Sequence, residues 1–226
     1  SFSSTLEMRL AGLHVTGYGR DGRSFMLRQK LTPPDGPHAV ESFWNLACQL
    51  TGQTLPPPES INMRISANAE AAAQEIIASH GWQAGYVCVN PFAAGTVHKM
   101  PKKWPGFPAF VKQLEQRGLP IVICPGPGEV DEAKNLYGQA CVLEGIPLDT
   151  YAALLHSAKL VVANDTGPAH IAAAVGAPLI SVLGPTKVEQ WAPWGPTVSV
   201  LSHRPNWPDV GEVLDLVSQR LTATPA

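Results

Sequence analysis

Residues 161–174 have the sequence VVANDTGPAHIAAA, and this stretch decides the fold. Its first three residues continue a β-branched run that predicts a buried strand, and the residues from Pro168 onward favour a helix. Pro168 suits the first helical position, because its missing N–H would have no intrahelical partner there. Either Asp165 or Thr166 can cap the helix from the preceding turn. The stretch therefore predicts a strand, a tight polar turn and the start of a helix.

A turn of this kind is a natural seat for an anion. The free N–H groups of Thr166 and Gly167, together with the positive end of the helix dipole, favour a phosphate or diphosphate. His170 lies about one turn into the helix, where a protonated imidazole would strengthen the binding of an anion. A lone histidine in such a position is more often structural. The turn predicts a nucleotide-like ligand, and both interpretations of His170 remain open.

The sequence on either side of this stretch alternates between strand-like and helix-like segments. Short apolar runs occupy residues 86–89, 120–124, 141–143, 159–163, 179–183 and 197–201. Helix-like segments fill most of the gaps, at residues 107–117, 129–138, 148–157, 168–175 and 209–221. This alternation predicts an α/β fold with a mostly parallel, Rossmann-like sheet of about six strands. Ligands of such sheets bind beyond the carboxyl ends of the strands.

Small or polar residues follow four of these strands. Thr96 and Lys102 come after the first strand and offer a hydroxyl and a point charge for a phosphate. Glu129 comes after the second, where a carboxylate can accept hydrogen bonds from a ribose diol. The polar turn at 164–170 follows the fourth strand, and Thr186 adds a hydroxyl after the fifth. Each feature alone also fits an ordinary solvated loop or a surface acid in a first helical turn. The prediction of a ligand site therefore depends on their occurring together at the carboxyl ends of four strands.

The front of the chain has a different character. Residues 1–53 predict a helix that ends at Gly12, a short strand at 15–18 and a helix over 39–50 that Gly52 ends. One strand and two helices cannot form a two-layer sheet domain by themselves. The proline-rich segment 54–59 predicts a stiff linker. We therefore divide the chain into 1–58, a partial domain with its linker, and 59–226, a complete sheet domain that opens with a helix capped by Ser66.

Composition excludes several classes of protein. The formal net charge of −2 and the scattered Lys and Arg residues argue against a nucleic-acid partner. We expect no membrane span and no secretory signal, and four cysteines without a Cys-x-x-Cys pair predict reduced thiols in a cytoplasmic protein. No G-x-G-x-x-G follows the first strand of the predicted sheet, no P-loop sequence or G-x-S-x-G elbow is present, and no His/Cys cluster has metal spacing. The residues thus predict neither a metal site nor a bound cofactor.

These motifs together resemble the donor site of the family-9 glycosyltransferases, the lipopolysaccharide heptosyltransferases and their relatives. The resemblance lies in NDTGPAH at 164–170, AAA at 172–174, GAP at 176–178, LGPT at 183–186 and KKWP at 102–105. It extends to RLAG at 9–12, GY at 17–18, DGRSF at 21–25 and H-x-x-E at 38–41. Lys102 falls on the family's donor-phosphate lysine. Glu129 falls near the family's acid after the second strand, although that alignment can shift to Asp131 or Glu132.

The resemblance implies a GT-B-like architecture and an inverting, metal-independent glycosyltransferase. Its donor would be an ADP-sugar such as ADP-heptose, used as a substrate, and its acceptor a lipid A/Kdo-type lipopolysaccharide core. Through such an acceptor the protein would contact the cytoplasmic face of the inner membrane peripherally. Residues 1–58 resemble the closing part of the acceptor-binding domain. The first half of that domain, with the family's general base, has no counterpart in the sequence.

Three functions remain open at this point. The first is glycosyl transfer, in which amides of Thr166 and Gly167, hydroxyls of Thr96 and Thr186 and the Lys102 ammonium stabilise the departing diphosphate. Asp165 would then bind sugar hydroxyls or fix the turn. The second is an ADP- or ADP-sugar-binding module that lacks its general base. The third is a sugar-nucleotide epimerase, against which the KKWP motif and the front motifs argue.

Overall fold

The computed structural model describes residues 1–34 and 38–222 and divides them into two compact units, Ser1–Pro58 and Glu59–Ala226. The second unit contains a six-stranded parallel sheet. Ten strands are assigned in the described residues, and the six of this sheet are β3 (Val87–Asn90), β6 (Ile121–Ile123), β7 (Cys141–Val142), β8 (Leu160–Ala163), β9 (Leu179–Leu183) and β10 (Val198–Ser202). The prediction of about six mostly parallel strands is confirmed.

The strand order places the functional loops together. The order across the sheet is β10-β9-β8-β3-β6-β7, so the chain moves outward in one direction from β3 and in the other from β8. The carboxyl ends of β3 and β8 therefore flank the point where the topology switches. Crevices for ligands form at such switch points in open α/β sheets. Asn90 ends β3 and Ala163 ends β8, so the turn after Ala163 opens onto this crevice.

Helices cover both faces of the sheet because successive strand residues point to opposite sides. On β8, Val161 belongs to the apolar cluster on one face of the sheet, whereas Val162 belongs to the cluster on the other face. The helices of the unit are α3 (Ala67–Ser79), α4 (Phe107–Leu114), α5 (Val130–Leu136), α6 (Leu148–Ser157), α7 (Gly167–Ala174), α8 (Val188–Trp191) and α9 (Val210–Thr222). Ser66 caps α3 as predicted, since its side chain accepts a hydrogen bond from the Ala69 N–H.

Two small elements in this unit have no counterpart in the sequence prediction. One is α8, a single turn. The other is a hairpin of β4 (Thr96–Val97) and β5 (Met100–Pro101), which follows β3 and is antiparallel. Its turn residues His98 and Lys99 both adopt positive φ angles, of 50° and 68°. Hairpin turns need this left-handed conformation, but Asn and Gly are the residues that usually signal it.

The first unit is a small α/β assembly. It consists of α1 (Phe2–Leu10), β1 (Thr16–Tyr18), β2 (Gln29–Leu31) and α2 (Ala39–Thr51). The two helices and β1 agree with the prediction, and Gly52 ends α2 in the left-handed conformation. Strand β2, which pairs in parallel with β1, was not predicted. Gln29 and Lys30 are exposed and only Leu31 is buried, so the strand lacks an apolar signature.

All four cysteines are free. Among the described residues, none of the helices has the length and apolar character that crossing a membrane requires. The same residues contain no cluster of three or more His, Cys, Asp or Glu side chains arranged to hold a metal ion.

Candidate functional site

Two cavities lie at the carboxyl edge of the sheet, one on each side of the start of α7. The larger has a volume of about 840 Å³, and Thr166 and Pro168 contribute to its wall. The smaller has a volume of about 420 Å³, and Asp165 and His170 contribute to its wall. We call them the apolar cavity and the charged cavity, after the side chains described below. The turn between Ala163 and α7 therefore separates two potential binding spaces.

The start of α7 presents unused backbone donors at this boundary. The N–H groups of Thr166 and Gly167 have no hydrogen-bond partner among the described residues, and Pro168 has no N–H. A Cβ on Gly167 would meet nothing within 4 Å, so the space above this residue is open. The Thr166 hydroxyl is buried and also lacks a partner among the described residues. Thr166 caps the helix through its backbone position alone, without a side-chain hydrogen bond. The two backbone N–H groups are therefore available to an anion.

Asn164 holds the turn and its neighbours in place. It is fully buried; its Oδ1 accepts a hydrogen bond from the Trp104 N–H at 2.8 Å, and its Nδ2 donates to the Pro91 carbonyl at 2.9 Å. The Trp104 ring is itself buried, and its Nε1 donates to the Pro208 carbonyl at 3.0 Å. A Cβ on Gly106 would lie 2.4 Å from this ring, so only glycine fits there. Trp104 thus anchors the loop that carries Lys102. The sequence analysis did not single out Asn164.

Lys102 and Asp165 form an ion pair at the base of the charged cavity. The distance from Lys102 Nζ to Asp165 Oδ2 is 2.8 Å, and the Lys102 side chain is about a quarter exposed. The Thr186 hydroxyl donates to the same oxygen at 2.7 Å, and His170 Nε2 lies 3.6 Å from Oδ1. Burial alone would raise the pKa of Asp165, but these neighbours outweigh it and lower the pKa to about 2. Asp165 is therefore an anion that positions Lys102.

The structure brings most of the predicted residues to this edge. The Thr186 hydroxyl, predicted to donate to a diphosphate, donates to Asp165, which was predicted to bind sugar hydroxyls or to fix the turn. Both roles stay predictions. Thr96 lies exposed on the hairpin and is not part of the wall of either cavity. His170 is about half exposed beside the charged cavity.

The apolar cavity lies beyond β3 and β6. Its wall includes Phe92, Ile146 and Leu148, and its polar members include Glu129 and Asn90. One oxygen of the Glu129 carboxylate accepts a hydrogen bond from the Gly126 N–H at 2.8 Å. A carboxylate has room for further donors. Of the two alternative acids, Asp131 is exposed and Glu132 pairs with Lys103, and neither contributes to the cavity.

Tyr151 and Asn90 also line this cavity and bring polar groups to its wall. The Tyr151 hydroxyl donates to Asn90 Oδ1. Burial raises the pKa of Tyr151 well above its ordinary value, so its hydroxyl remains protonated. The Asn90 amide Nδ2 reaches only the Cys88 sulfur, at 4.0 Å. It therefore keeps a donor that a ligand in the cavity can use.

Comparison with known protein families identifies one match across nearly the whole chain. The family model described as glycosyltransferase family 9 (heptosyltransferase) matches residues 1–215. A lipopolysaccharide heptosyltransferase 3 from Escherichia coli is 31% identical over 182 residues, which are 73% of this chain and 49% of that protein. The same protein from strain K12 is 32% identical over 119 residues, 48% of this chain and 33% of that protein. The chain thus spans half or less of the length of these curated relatives.

Solved structures agree in fold. The structure of E. coli ADP-heptose lipopolysaccharide heptosyltransferase II superposes with a TM-score of 0.73 at 22% identity, over 98% of this chain and 74% of that one. E. coli heptosyltransferase WaaC, solved with ADP, superposes with a TM-score of 0.64 at 26% identity, over 87% and 61%. A UDP-GlcNAc 2-epimerase from Methanocaldococcus jannaschii reaches 0.55 at 12% identity, over 100% and 68%. The epimerase likeness concerns the fold alone.

Proposed function

The chain belongs to glycosyltransferase family 9, and we propose that its second unit binds an ADP-sugar for glycosyl transfer to a lipopolysaccharide core acceptor. The sugar is a heptose or a related sugar, the reaction inverts the anomeric centre, and it needs no metal ion. One observation carries this proposal. The free amides at the start of α7 and the Lys102 ammonium are available at one edge, between an apolar cavity and a charged one.

The two cavities suit the two ends of such a donor. An adenosine fits a large cavity with apolar walls and a few polar groups, and Glu129 there can accept hydrogen bonds from the ribose. The diphosphate then passes over Thr166 and Gly167, whose N–H groups are unused. The sugar enters the charged cavity beside Lys102 and Asp165. This order places the bond that breaks next to the ammonium.

The chemistry follows from this placement. A hydroxyl oxygen of the acceptor forms a bond to the anomeric carbon, the bond from that carbon to the diphosphate oxygen breaks, and ADP leaves with the electron pair. Negative charge grows on the leaving oxygen, and fixed donors there lower the barrier. Lys102 needs no reorganisation, because Asp165 already holds it. The hydroxyl proton passes to a general base.

The carboxylates of the two cavities are poor candidates for that base. Asp165 accepts from Lys102 and Thr186, Glu129 accepts from the Gly126 N–H, and Glu144 pairs with Lys134. A carboxylate with a pKa of about 2 is also a weak base. We therefore assign the base to a residue outside these two cavities.

The experiment that tests the proposal measures binding and turnover separately. Calorimetry with ADP and with ADP-heptose is expected to show binding of both, and ADP release on addition of a lipopolysaccharide core acceptor is expected to reveal transfer. Activity in excess EDTA and the anomeric configuration of the product by NMR test metal independence and inversion. Failure to bind ADP would overturn the proposal.

A second candidate is the ADP-sugar-binding module without catalysis. The engagement of Asp165 by Lys102 and Thr186 favours it, since the carboxylate of the charged cavity then holds the ammonium and does not serve as a base. Donor binding with no ADP release in the presence of acceptor would support the module. Appearance of an epimerised nucleotide sugar without acceptor would instead support the epimerase.

A further inference from the structure

The rim of the charged cavity carries an exposed indole that the proposed chemistry leaves without a role. Trp191 ends α8, and 55% of its surface is exposed. It lies on the wall of the charged cavity together with Lys102, His170 and Gln190. Its Nε1 has no hydrogen-bond partner, and its ring has no aromatic neighbour, among the described residues. Tryptophan buries a large apolar area when it finds a partner, so an open indole at a cavity is informative.

The backbone that carries Trp191 is held firmly. The Trp191 N–H donates to the Lys187 carbonyl at 3.0 Å, which closes the single turn of α8. Just before this turn, a Cβ on Gly184 would lie 2.5 Å from the Trp207 ring, so the chain is pressed against that indole. Arg204 Nε also donates to the Pro185 carbonyl at 3.3 Å. The backbone that carries the Trp191 side chain is therefore positioned before any ligand arrives.

The neighbours of Trp191 have the chemistry that recognises hydroxyl groups. The Gln190 amide can donate and accept, His170 can donate from its ring, and Asp165 accepts. An apolar flat ring beside such groups matches the surface of a pyranose, which has an apolar face of C–H groups and a periphery of hydroxyls. A free phosphate would not use the ring, since it has no apolar face, and the proposed function already assigns the nucleobase to the apolar cavity.

We propose that Trp191 is a carbohydrate-stacking residue, which packs its indole against the face of a pyranose in the charged cavity. This inference rests on the proposed function and deepens it, because it names the group that selects for a sugar rather than for ADP alone. The pyranose comes either from the donor or from the acceptor. Both sources share the same C–H face, and the experiment below separates them.

The test compares Trp191→Ala, Trp191→Phe and the wild-type protein. The three probes are ADP, ADP-heptose and the core oligosaccharide acceptor. For a donor pyranose, calorimetry is expected to show that Trp191→Ala binds ADP within twofold of the wild type but ADP-heptose about tenfold more weakly, while Trp191→Phe recovers most of the loss. For an acceptor pyranose, both nucleotide affinities stay unchanged and the KM for the core oligosaccharide acceptor rises about tenfold in Trp191→Ala, with kcat changed less. Leu136→Ala, on α5, is the matched control, since it removes an exposed apolar side chain that belongs to neither cavity.

The outcomes that overturn the inference differ from those that overturn the proposed function. Equal loss of ADP and ADP-heptose affinity in Trp191→Ala, or no change with any of the three probes, would exclude the stacking role while ADP binding by the wild type still supports the donor site. Absence of ADP binding in the wild type would remove both. Thermal melting of each variant separates a binding defect from misfolding, and an exposed residue is expected to shift it little.

Discussion

The apolar and the charged cavity share one helix start but differ in how their polar groups are used. In the apolar cavity Glu129 makes a single backbone hydrogen bond and Asn90 keeps a nearly free amide, so its polar groups have capacity to spare. In the charged cavity Lys102 and Thr186 both bind Oδ2 of Asp165, so this carboxylate is tied to donors of the protein itself. The first cavity is thus suited to recognising a ligand by new hydrogen bonds. The second is suited to holding a charge in place while a reaction proceeds.

This difference follows from the loops that form each wall. The apolar cavity is built where β3 and β6 end, with Pro91, Pro125 and Pro127 in its wall. Proline offers no N–H, which leaves that wall poor in donors. The charged cavity is built from the hairpin, the turn before α7 and the turn before α8, all of which carry charged or hydroxyl side chains. Asn164 connects the two through its bonds to Trp104 and Pro91.

The largest effect is expected from breaking that connection. Asn164→Ala leaves the Trp104 N–H and the Pro91 carbonyl buried without partners, which is expected to lower the free energy of unfolding by about 3 kcal/mol. It should also weaken ADP binding, since both walls lose their anchor. Denaturant unfolding measures the first effect and calorimetry the second. Asn135→Ala, at an exposed position of α5, is the control. An unchanged free energy of unfolding would show that the hydrogen bonds of Asn164 do not connect the two cavity walls.

The next largest effect distinguishes the charged cavity from the apolar one, because it weakens the binding of one ligand and not of another. Lys102→Ala is expected to lower turnover by about two orders of magnitude, because one preorganised donor at the leaving group contributes roughly 3 kcal/mol. It should weaken ADP but leave adenosine unaffected, since adenosine lacks the diphosphate. Steady-state kinetics and calorimetry with both ligands provide the measurement. Lys112→Ala, on the exposed side of α4, is the control, and equal turnover in the two variants would remove Lys102 from the mechanism.

A smaller effect concerns the charge at the base of the charged cavity. The pKa of Asp165 is about 2, below its ordinary value of 3.8, so the ionised form stabilises the fold above pH 4. That contribution, about 2 kcal/mol, disappears as the pH falls from 4 toward 2. We therefore expect Asp165→Asn to be less stable than the wild type at pH 7, with the gap narrowing at pH 3. Unfolding at both values measures it.

The control for this pH dependence is an exposed acid. Asp131→Asn is expected to show a much smaller difference at either pH, since its side chain lies in solvent on the first turn of α5. A gap for Asp165→Asn that stayed constant between pH 7 and pH 3 would contradict the linkage. It would mean that lost packing, and not ionisation, causes the instability.

Two features of the charged cavity could be recognised from the sequence alone. The polar turn at 164–170 and Lys102 are local signals, because a strand end, a helix start and a lysine beside Trp-Pro can be recognised without knowing the strand order. The pairing of Thr186 with Asp165 could not be predicted, since it depends on two strand ends 21 residues apart becoming neighbours. A hydroxyl in a turn looks the same whether it faces a ligand or a carboxylate.

The missed elements had no local signal. Strand β2 is exposed on two of its three residues, and the hairpin turn at His98 and Lys99 uses residues that seldom adopt positive φ. Asn164 was the exception, because a short amide directly after a β-branched strand could have suggested a buried connector. The assignment of residues 1–58 to an acceptor-binding domain stays a prediction, and so do the roles of the donor-site residues.

The smallest effect tests the apolar cavity alone. Glu129→Gln keeps an acceptor for the Gly126 N–H but loses the charge that strengthens hydrogen bonds from a ribose diol, worth about 1 kcal/mol or roughly fivefold in affinity. Because the ribose is common to both ligands, adenosine and ADP should weaken equally, unlike in Lys102→Ala. A 2′,3′-dideoxy analogue of ADP should bind the wild type and the variant alike. Glu132→Gln is the control, since Glu132 pairs with Lys103 instead. If calorimetry found unchanged affinities in Glu129→Gln, this carboxylate would be a surface acid at a helix start, and the ribose would have to lie elsewhere.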